Sequence, residues 1–256
     1  MRRTLILPIA TTLTLLSCIH FSSGSEEVAV PKAEGEIRVL VIDTGIAELP
    51  ETKPYLSSIN VKEDLTDTHG HGTHIAGLIL YGRSGTDKVC DEVKILSCKF
   101  YGKEGEKLHT TPNCFKAAKR LEADFVNFSG GGRERDLDEE AAVRAYPGVM
   151  IVAAGNEEVD KAGKVTKEAW DISKEPYYPA SLNLPNMIVV GNGTRQELRS
   201  DSSNYGLPGM KWRDGRAIWS LDPKGGKRVM SGTSQATAIY THELLKAECQ
   251  RRRSAK

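Results

Sequence analysis

The sequence has no surplus of charge of either sign. Lys and Arg number 35 and Asp and Glu number 34 in 256 residues, a formal net charge of +1. Nucleic-acid-binding domains ordinarily carry a clear basic excess, so nucleic acid is not an expected partner. The cysteines never occur as paired Cys-x-x-Cys, and the usual zinc-ligand spacing is therefore missing. No internal repeat is visible, and no low-complexity segment follows the N-terminal region. With 39% apolar and 27% charged residues, the composition is neither that of a disordered chain nor that of a multi-span membrane protein. Glycine is comparatively abundant, with 24 residues, which implies many tight turns or close backbone approaches. The length fits one large domain or two small ones.

The first residues read as a targeting segment. Arg2 and Arg3 precede an apolar stretch from Leu5 to Leu16, with small residues following at Ser17 and Cys18. That stretch is short for a membrane span, and residues 1–17 are expected to be a secretory signal peptide; the alternative is a retained anchor. Leu15-Leu16-Ser17-Cys18 is similar to a bacterial lipobox, although Leu16 is not the small residue preferred there. Cys18 is accordingly the expected lipidation site, and the chain is expected to be exported: secreted, periplasmic, or membrane-anchored as a lipoprotein. Residues 18–36 lack periodicity and read as a linker, leaving 37–256 as the folded domain. The other cysteines, Cys90, Cys98, Cys114 and Cys249, allow two disulfides in an oxidising compartment, in any of three connectivities, or stay as buried thiols.

From residue 37 onward, strand and helix patterns alternate. Strands are expected at 37–42, 93–100, 124–128, 149–154 and 187–191, and helices at 71–80, 111–121, 136–145 and 234–249. The nearly continuous apolar run Ile37-Arg38-Val39-Leu40-Val41-Ile42 suits a strand buried on both faces. The pattern predicts an α/β fold in three layers, a mostly parallel sheet flanked by helices, with active groups beyond the carboxyl ends of the strands. The basic end Arg251-Arg252-Arg253 is expected to be a frayed, solvated tail.

Three segments carry chemistry. Val41-Ile42-Asp43-Thr44-Gly45 ends an apolar strand on a carboxylate. Gly70-His71-Gly72-Thr73-His74 opens a helix with histidine. Ser231-Gly232-Thr233-Ser234-Gln235-Ala236-Thr237-Ala238 opens another with serine. A serine hydroxyl is a weak nucleophile at neutral pH and needs an adjacent base; histidine titrates in the right range; a buried carboxylate fixes its tautomer. In the order Asp, His, Ser, these segments resemble the subtilisin-like serine proteases over roughly residues 37–249.

The resemblance implies Ser234 as nucleophile, His71 as general base and acid, and Asp43 as orienting carboxylate. Ala153-Ala154-Gly155-Asn156-Glu157 is similar to the family segment whose asparagine donates to the oxyanion. This implies Asn156, with the Ser234 N–H, as the oxyanion hole; read alone, Asn156 would be a turn cap. Ser129, Gly130 and Gly131, with Ala154 and Gly155, are the implied substrate-binding residues. The family often has a larger apolar residue where Gly130 stands, so a more open subsite wall is expected. The loop from Glu158 to Pro176, holding Trp170, is expected to border the pocket for the residue on the acyl side of the scissile bond (P1).

Tyr178-Pro179-Ala180 and Ser203-Asn204-Tyr205-Gly206 match the family as structural landmarks. Departures are Ala238 where the family usually has proline, a missing C-terminal portion after the last helix, and no recognisable strand and turn between Gly206 and Trp219. His74 is expected to support helix packing, His69 to be solvated, and Trp170, Trp212 and Trp219 to pack. Protein or peptide substrates are the expected partners, with the chain a monomer. No cofactor and no metal site are expected, and structural calcium loops are not recognisable.

Three competing readings stand beside the protease. A catalytically silent peptide-binding module could use the same fold. An aspartic protease built on Asp43-Thr44-Gly45 would need a second such segment, and the sequence contains neither another Asp-Thr-Gly nor an Asp-Ser-Gly. A metal site could be assembled from His69, His71 and His74.

Overall fold

Alternation along β1 (Ile37–Asp43) builds both halves of the core. Leu40 and Ile42 pack into one apolar cluster, while Val39 and Val41 face the other. The computed structural model describes residues 32–102, 106, 108–194 and 198–255; the expected signal peptide and Cys18 lie outside them. In chain order the elements after β1 are α1 (His71–Tyr81), β2 (Val93–Lys99), α2 (Thr111–Arg120), β3 (Phe125–Phe128), α3 (Leu137–Ala145) and β4 (Val149–Ala153). A small hairpin, β5 (Glu158–Val159) and β6 (Val165–Lys167), precedes β7 (Met187–Asn192) and β8 (Lys211–Arg213). The hairpin β9 (Ile218–Leu221) and β10 (Lys227–Met230) then leads to α4 (Thr233–Ser254).

Six strands form one sheet in the order β2-β1-β3-β4-β7-β8, and every pairing in it is parallel. Cys114, Phe115 and Ala118 of α2 and Ala142 and Val143 of α3 cover one face. Ile75, Leu78 and Ile79 of α1 and Ala238, Ile239 and Leu245 of α4 cover the other. This is the expected three-layer arrangement. Helix α1 is buried continuously from Gly72 to Leu80, as a helix apolar all round must be. Thr110 caps α2 through its side chain with Pro112 in the first turn, and Asp136 caps α3 by accepting from two backbone N–H groups. The chain goes from β1 out to β2 and returns to β3 on the other side of β1, so the carboxyl ends of β1 and β3 flank a topological switch point, where doubly wound sheets bind ligands.

Four expectations are corrected. The sixth strand, β8, lies between Gly206 and Trp219, where no strand was legible: its three residues pair with Val190, Gly191 and Asn192, too few to show a period. The basic C-terminus is no frayed tail. Helix α4 continues to Ser254, and Arg252 donates to the carbonyls of Gly35 and Glu36 and pairs with Glu248 and Asp124. Cations also suit the negative end of a helix dipole. Trp219 is not packed; it is 61% exposed on β9, opposite exposed Val229 of β10. The fourth correction, at Gly130, belongs with the site. The cysteines form Cys90–Cys249 and Cys98–Cys114, the first tying the approach to β2 to α4 and the second tying β2 to α2.

Candidate active site

Asp43 is the last residue of β1 and is 2% exposed. Its Oδ1 lies 2.7 Å from His71 Nδ1, on the first residue of α1, and also accepts the Thr44 N–H at 2.8 Å. Burial opposes charge on His71, but the Asp43 charge and hydrogen bond, helped by Asp67, outweigh it and raise the imidazole pKa above its ordinary value.

Ser234 stands in the first turn of α4, after Gly232. Its Oγ donates to the Ser129 carbonyl at 3.1 Å, and Ser129 Oγ donates back to the Ser234 carbonyl at 3.3 Å. Ser129 is held in turn by Asn127, and Asn127 by Thr241 of α4, so α4 is tied to the end of β3. Among the described residues no hydrogen bond joins Ser234 Oγ to His71. Asn156 Oδ1 accepts the Thr233 N–H at 3.0 Å, and its Nδ2 has no hydrogen-bond acceptor among the described residues. The first N–H groups of a helix have no intrahelical acceptor, and the Ser234 N–H is one of them.

The remaining sequence candidates separate by place. Gly131 and Asn156 line a cavity of about 780 Å³ with Gly132, Arg133, Glu134, Glu157, Glu158, Trp170, Glu175, Pro176 and Tyr177. Glu158, Trp170, Glu175 and Pro176 of the 158–176 loop therefore border this cavity. Ala154 and Gly155 are buried behind it. Gly155 has a φ of +88°, and a Cβ there would come within 2.8 Å of the Tyr177 ring, so glycine satisfies both the backbone and the packing. Gly130 does not leave an open wall. A Cβ there would meet Phe128 and the Tyr101 hydroxyl at 2.8 Å: Tyr101, reaching in from the segment after β2, takes up the space a larger side chain would occupy.

The three histidines do not converge. His69 is exposed. His74 is fully buried, with Nε2 on the Ile218 carbonyl at 3.0 Å. Its burial, together with the nearby His71, pushes its pKa down to about 4 against the hydrogen bond to Ile218.

Two organising residues escaped the sequence reading. Asp67, 8% exposed, accepts from Thr44 Oγ1, His69 N and Gly70 N on one oxygen and from Thr73 N and Oγ1 on the other. It clamps the end of β1 to the start of α1, the two elements that carry Asp43 and His71. Its place four residues before His71 was the available signal. Asn204, noted only as part of a landmark, is fully buried and donates to the Ala154 carbonyl while accepting the Trp170 N–H. It fastens the segment bearing Asn156 to the floor of the cavity.

Comparison with known proteins gives the family. The model of the subtilase family, peptidase S8, matches residues 35–247; the chain belongs to that family. It is 33% identical over 177 residues to subtilisin-like protease 7 of Arthroderma otae, covering 67% of this chain and 40% of that protein. It is 30% identical over 241 residues to subtilisin-like protease 3 of Trichophyton equinum, covering 90% of this chain and 57% of that one. The chain thus spans about half the length of these relatives. Among solved structures, a cold-adapted subtilisin-like serine proteinase superposes with a TM-score of 0.62 at 25% identity, covering 82% of this chain and 75% of the other. The prenylagaramide maturation protease PagA shares the fold with a TM-score of 0.64 at 24% identity, covering 87% and 79%.

Proposed function

We propose that this protein is an exported serine endopeptidase acting on protein or peptide substrates through an acyl-enzyme. The observation that carries the reading is the 2.7 Å Asp43–His71 hydrogen bond at the sheet's switch point, with Ser234 and Asn156 gathered beside the start of α4.

In this reading Ser234 Oγ turns from the Ser129 carbonyl toward His71 Nε2, gives up its proton there and attacks the scissile carbonyl. Loose nucleophile–base geometry before substrate binds is usual. Asp43 holds the Nδ1–H and stabilises the imidazolium. Asn156 Nδ2 and the Ser234 N–H receive the oxyanion, aided by the positive end of α4. His71 then passes its proton to the leaving amine, and water, deprotonated by the same imidazole, releases the acyl group.

Substrate backbone pairs with the Ser129-Gly130-Gly131 edge as an added strand. Two disulfides support export to an oxidising compartment, and Cys18 is the proposed lipid anchor, which the intact mass of the exported chain would reveal. The protease reading is tested with a fluorophosphonate probe, which reacts only with an activated serine. Wild-type protein should be labelled and should cleave peptides, and Ser234→Ala should do neither. An unlabelled, inert wild type would leave the peptide-binding module.

A further inference from the structure

Asn127 is a fully buried amide on a central strand. Its partners across β1 and β4 are Val41 and Ile151, both buried and apolar. An apolar residue would pack there without desolvating a polar group, and an amide left unsatisfied would be costly. Two hydroxyls satisfy this one. Its Nδ2 donates to Ser129 Oγ at 3.1 Å, and its Oδ1 lies 2.9 Å from Oγ1 of Thr241, likewise fully buried. Thr241 Oγ1 is also 2.9 Å from the Thr237 carbonyl, but that carbonyl already receives an N–H within the helix. Asn127 Oδ1 has no other donor among the described residues, so the hydroxyl proton belongs to it.

The directions of these bonds depend on one another. With its oxygen on Thr241, the amide presents its NH2 to Ser129. The Ser129 hydroxyl accepts there and donates its own proton to the Ser234 carbonyl at 3.3 Å. Turned over, the amide would take the Ser129 proton, and the Ser234 carbonyl would lose it. The backbone around the nucleophile is thus held from two sides: Asn156 Oδ1 holds the Thr233 N–H at 3.0 Å, and Ser129 holds the Ser234 carbonyl.

We propose that Thr241, two helical turns beyond Ser234 on α4, is a positioning residue for the reaction, acting through Asn127 and Ser129 to fix the nucleophile between His71 and Asn156. The inference rests on the protease reading, which makes Ser234 the nucleophile. Misplacing a reacting group by about 1 Å can cost on the order of 10²-fold in rate. Loosening one of the two holds on this backbone costs less, about tenfold.

The test compares Thr241→Val, which keeps the shape and removes the hydroxyl, with Thr241→Ser, which keeps the hydroxyl, in the full exported chain. Active sites are counted by fluorophosphonate titration, so kcat is read per reactive serine and any loss of folded protein drops out. Thr241→Val should lower kcat and the labelling rate together by about tenfold. KM and the acid limb of the pH profile should stay in place, because Thr241, Asn127 and Ser129 make no hydrogen bond to His71, Asp43 or Asp67 among the described residues. Thr241→Ser should recover most of the loss. Adding Thr241→Val to Asn127→Ala should lower kcat little further, since both break the same relay. Thr241→Ala removes the hydroxyl without setting a methyl against the amide, and replaces Thr241→Val if that variant does not fold. An unchanged kcat per titrated serine, a serine variant no better than valine, or losses that multiply in the double variant would overturn the positioning role and leave the protease reading standing. A wild type that is neither labelled nor cleaves any peptide would overturn both.

Discussion

Replacing Asp67 by Asn should weaken both the fold and the site. The carboxylate is 8% exposed and takes five donors, at 2.9, 3.1 and 2.7 Å on Oδ1 and at 2.8 and 2.7 Å on Oδ2. An amide keeps one acceptor oxygen and turns an NH2 toward the donors on the other side. With the NH2 on the Oδ1 side, the His69 and Gly70 N–H groups face a donor; with it on the Oδ2 side the Thr73 N–H does, while the Thr73 hydroxyl can reverse and accept. A buried donor left unsatisfied costs about 1–3 kcal/mol and the remaining bonds lose a charged acceptor, so Asp67→Asn should cost about 2–4 kcal/mol. That is a large share of the roughly 5–15 kcal/mol that stabilises a typical domain. Urea unfolding in a Ser234→Ala background, where self-digestion cannot intervene, measures the loss. Asp136→Asn is the comparison: that exposed cap accepts only two N–H groups, both on one oxygen that the amide keeps, and asparagine caps about as well as aspartate, so the loss should stay below about 1 kcal/mol. In the Ser234 enzyme, loosening the link between β1 and α1 should lower kcat more than it raises KM. Removal of the Asp67 charge should also shift the acid limb of kcat/KM to lower pH, since that charge helps raise the His71 pKa. A loss below about 1 kcal/mol together with an unchanged pH profile would refute the clamp.

In the proposed mechanism His71 must be neutral to act as base; since its pKa is raised, activity should fall on acidification from above the ordinary histidine value of about 6.5. Asp43→Asn should move that limb down while depressing turnover, which a kcat/KM profile against pH would register. His74, pushed down to about 4, resists protonation in the folded protein. Between pH 6.5 and 4 the unfolded chain therefore takes up a proton that the folded one refuses. Stability should decline over that window by up to about 3 kcal/mol, and unfolding measured against pH should show a shallower slope in His74→Gln. The Cys90–Cys249 disulfide closes a segment of 159 residues and Cys98–Cys114 one of 16. On the loop-entropy account, removing the first should cost about 5 kcal/mol and the second about 3; double-alanine variants compared by denaturant unfolding should preserve that order.

The site's chemical groups were legible because their local frames are sequence signals. An apolar run ending on Asp43 makes a buried strand with a carboxylate at its tip. Glycine before His71, and Gly232 followed by Thr233 before Ser234, open helices at which a side chain and N–H groups point outward. The alternation of long strands and helices gave the layered sheet for the same reason, since periodicity over six or more residues survives any particular packing. What escaped was set by contacts between segments distant in the chain. β8 is a strand because β7 offers it an edge, not because Lys-Trp-Arg has a period. Tyr101 fills the space at Gly130 from a segment 29 residues away. The continuation of α4 through its three arginines depends on acceptors at Gly35, Glu36 and Asp124. Cysteine pairing was open among three connectivities until the fold brought Cys249 to Cys90. Asp67 could be counted as a carboxylate from the sequence, but only folding surrounds it with five donors. Residue order alone names the candidate groups and the elements that carry them. The number of donors on a buried oxygen depends on separations of a few ångströms between residues far apart in sequence, and these exist only once the chain has packed.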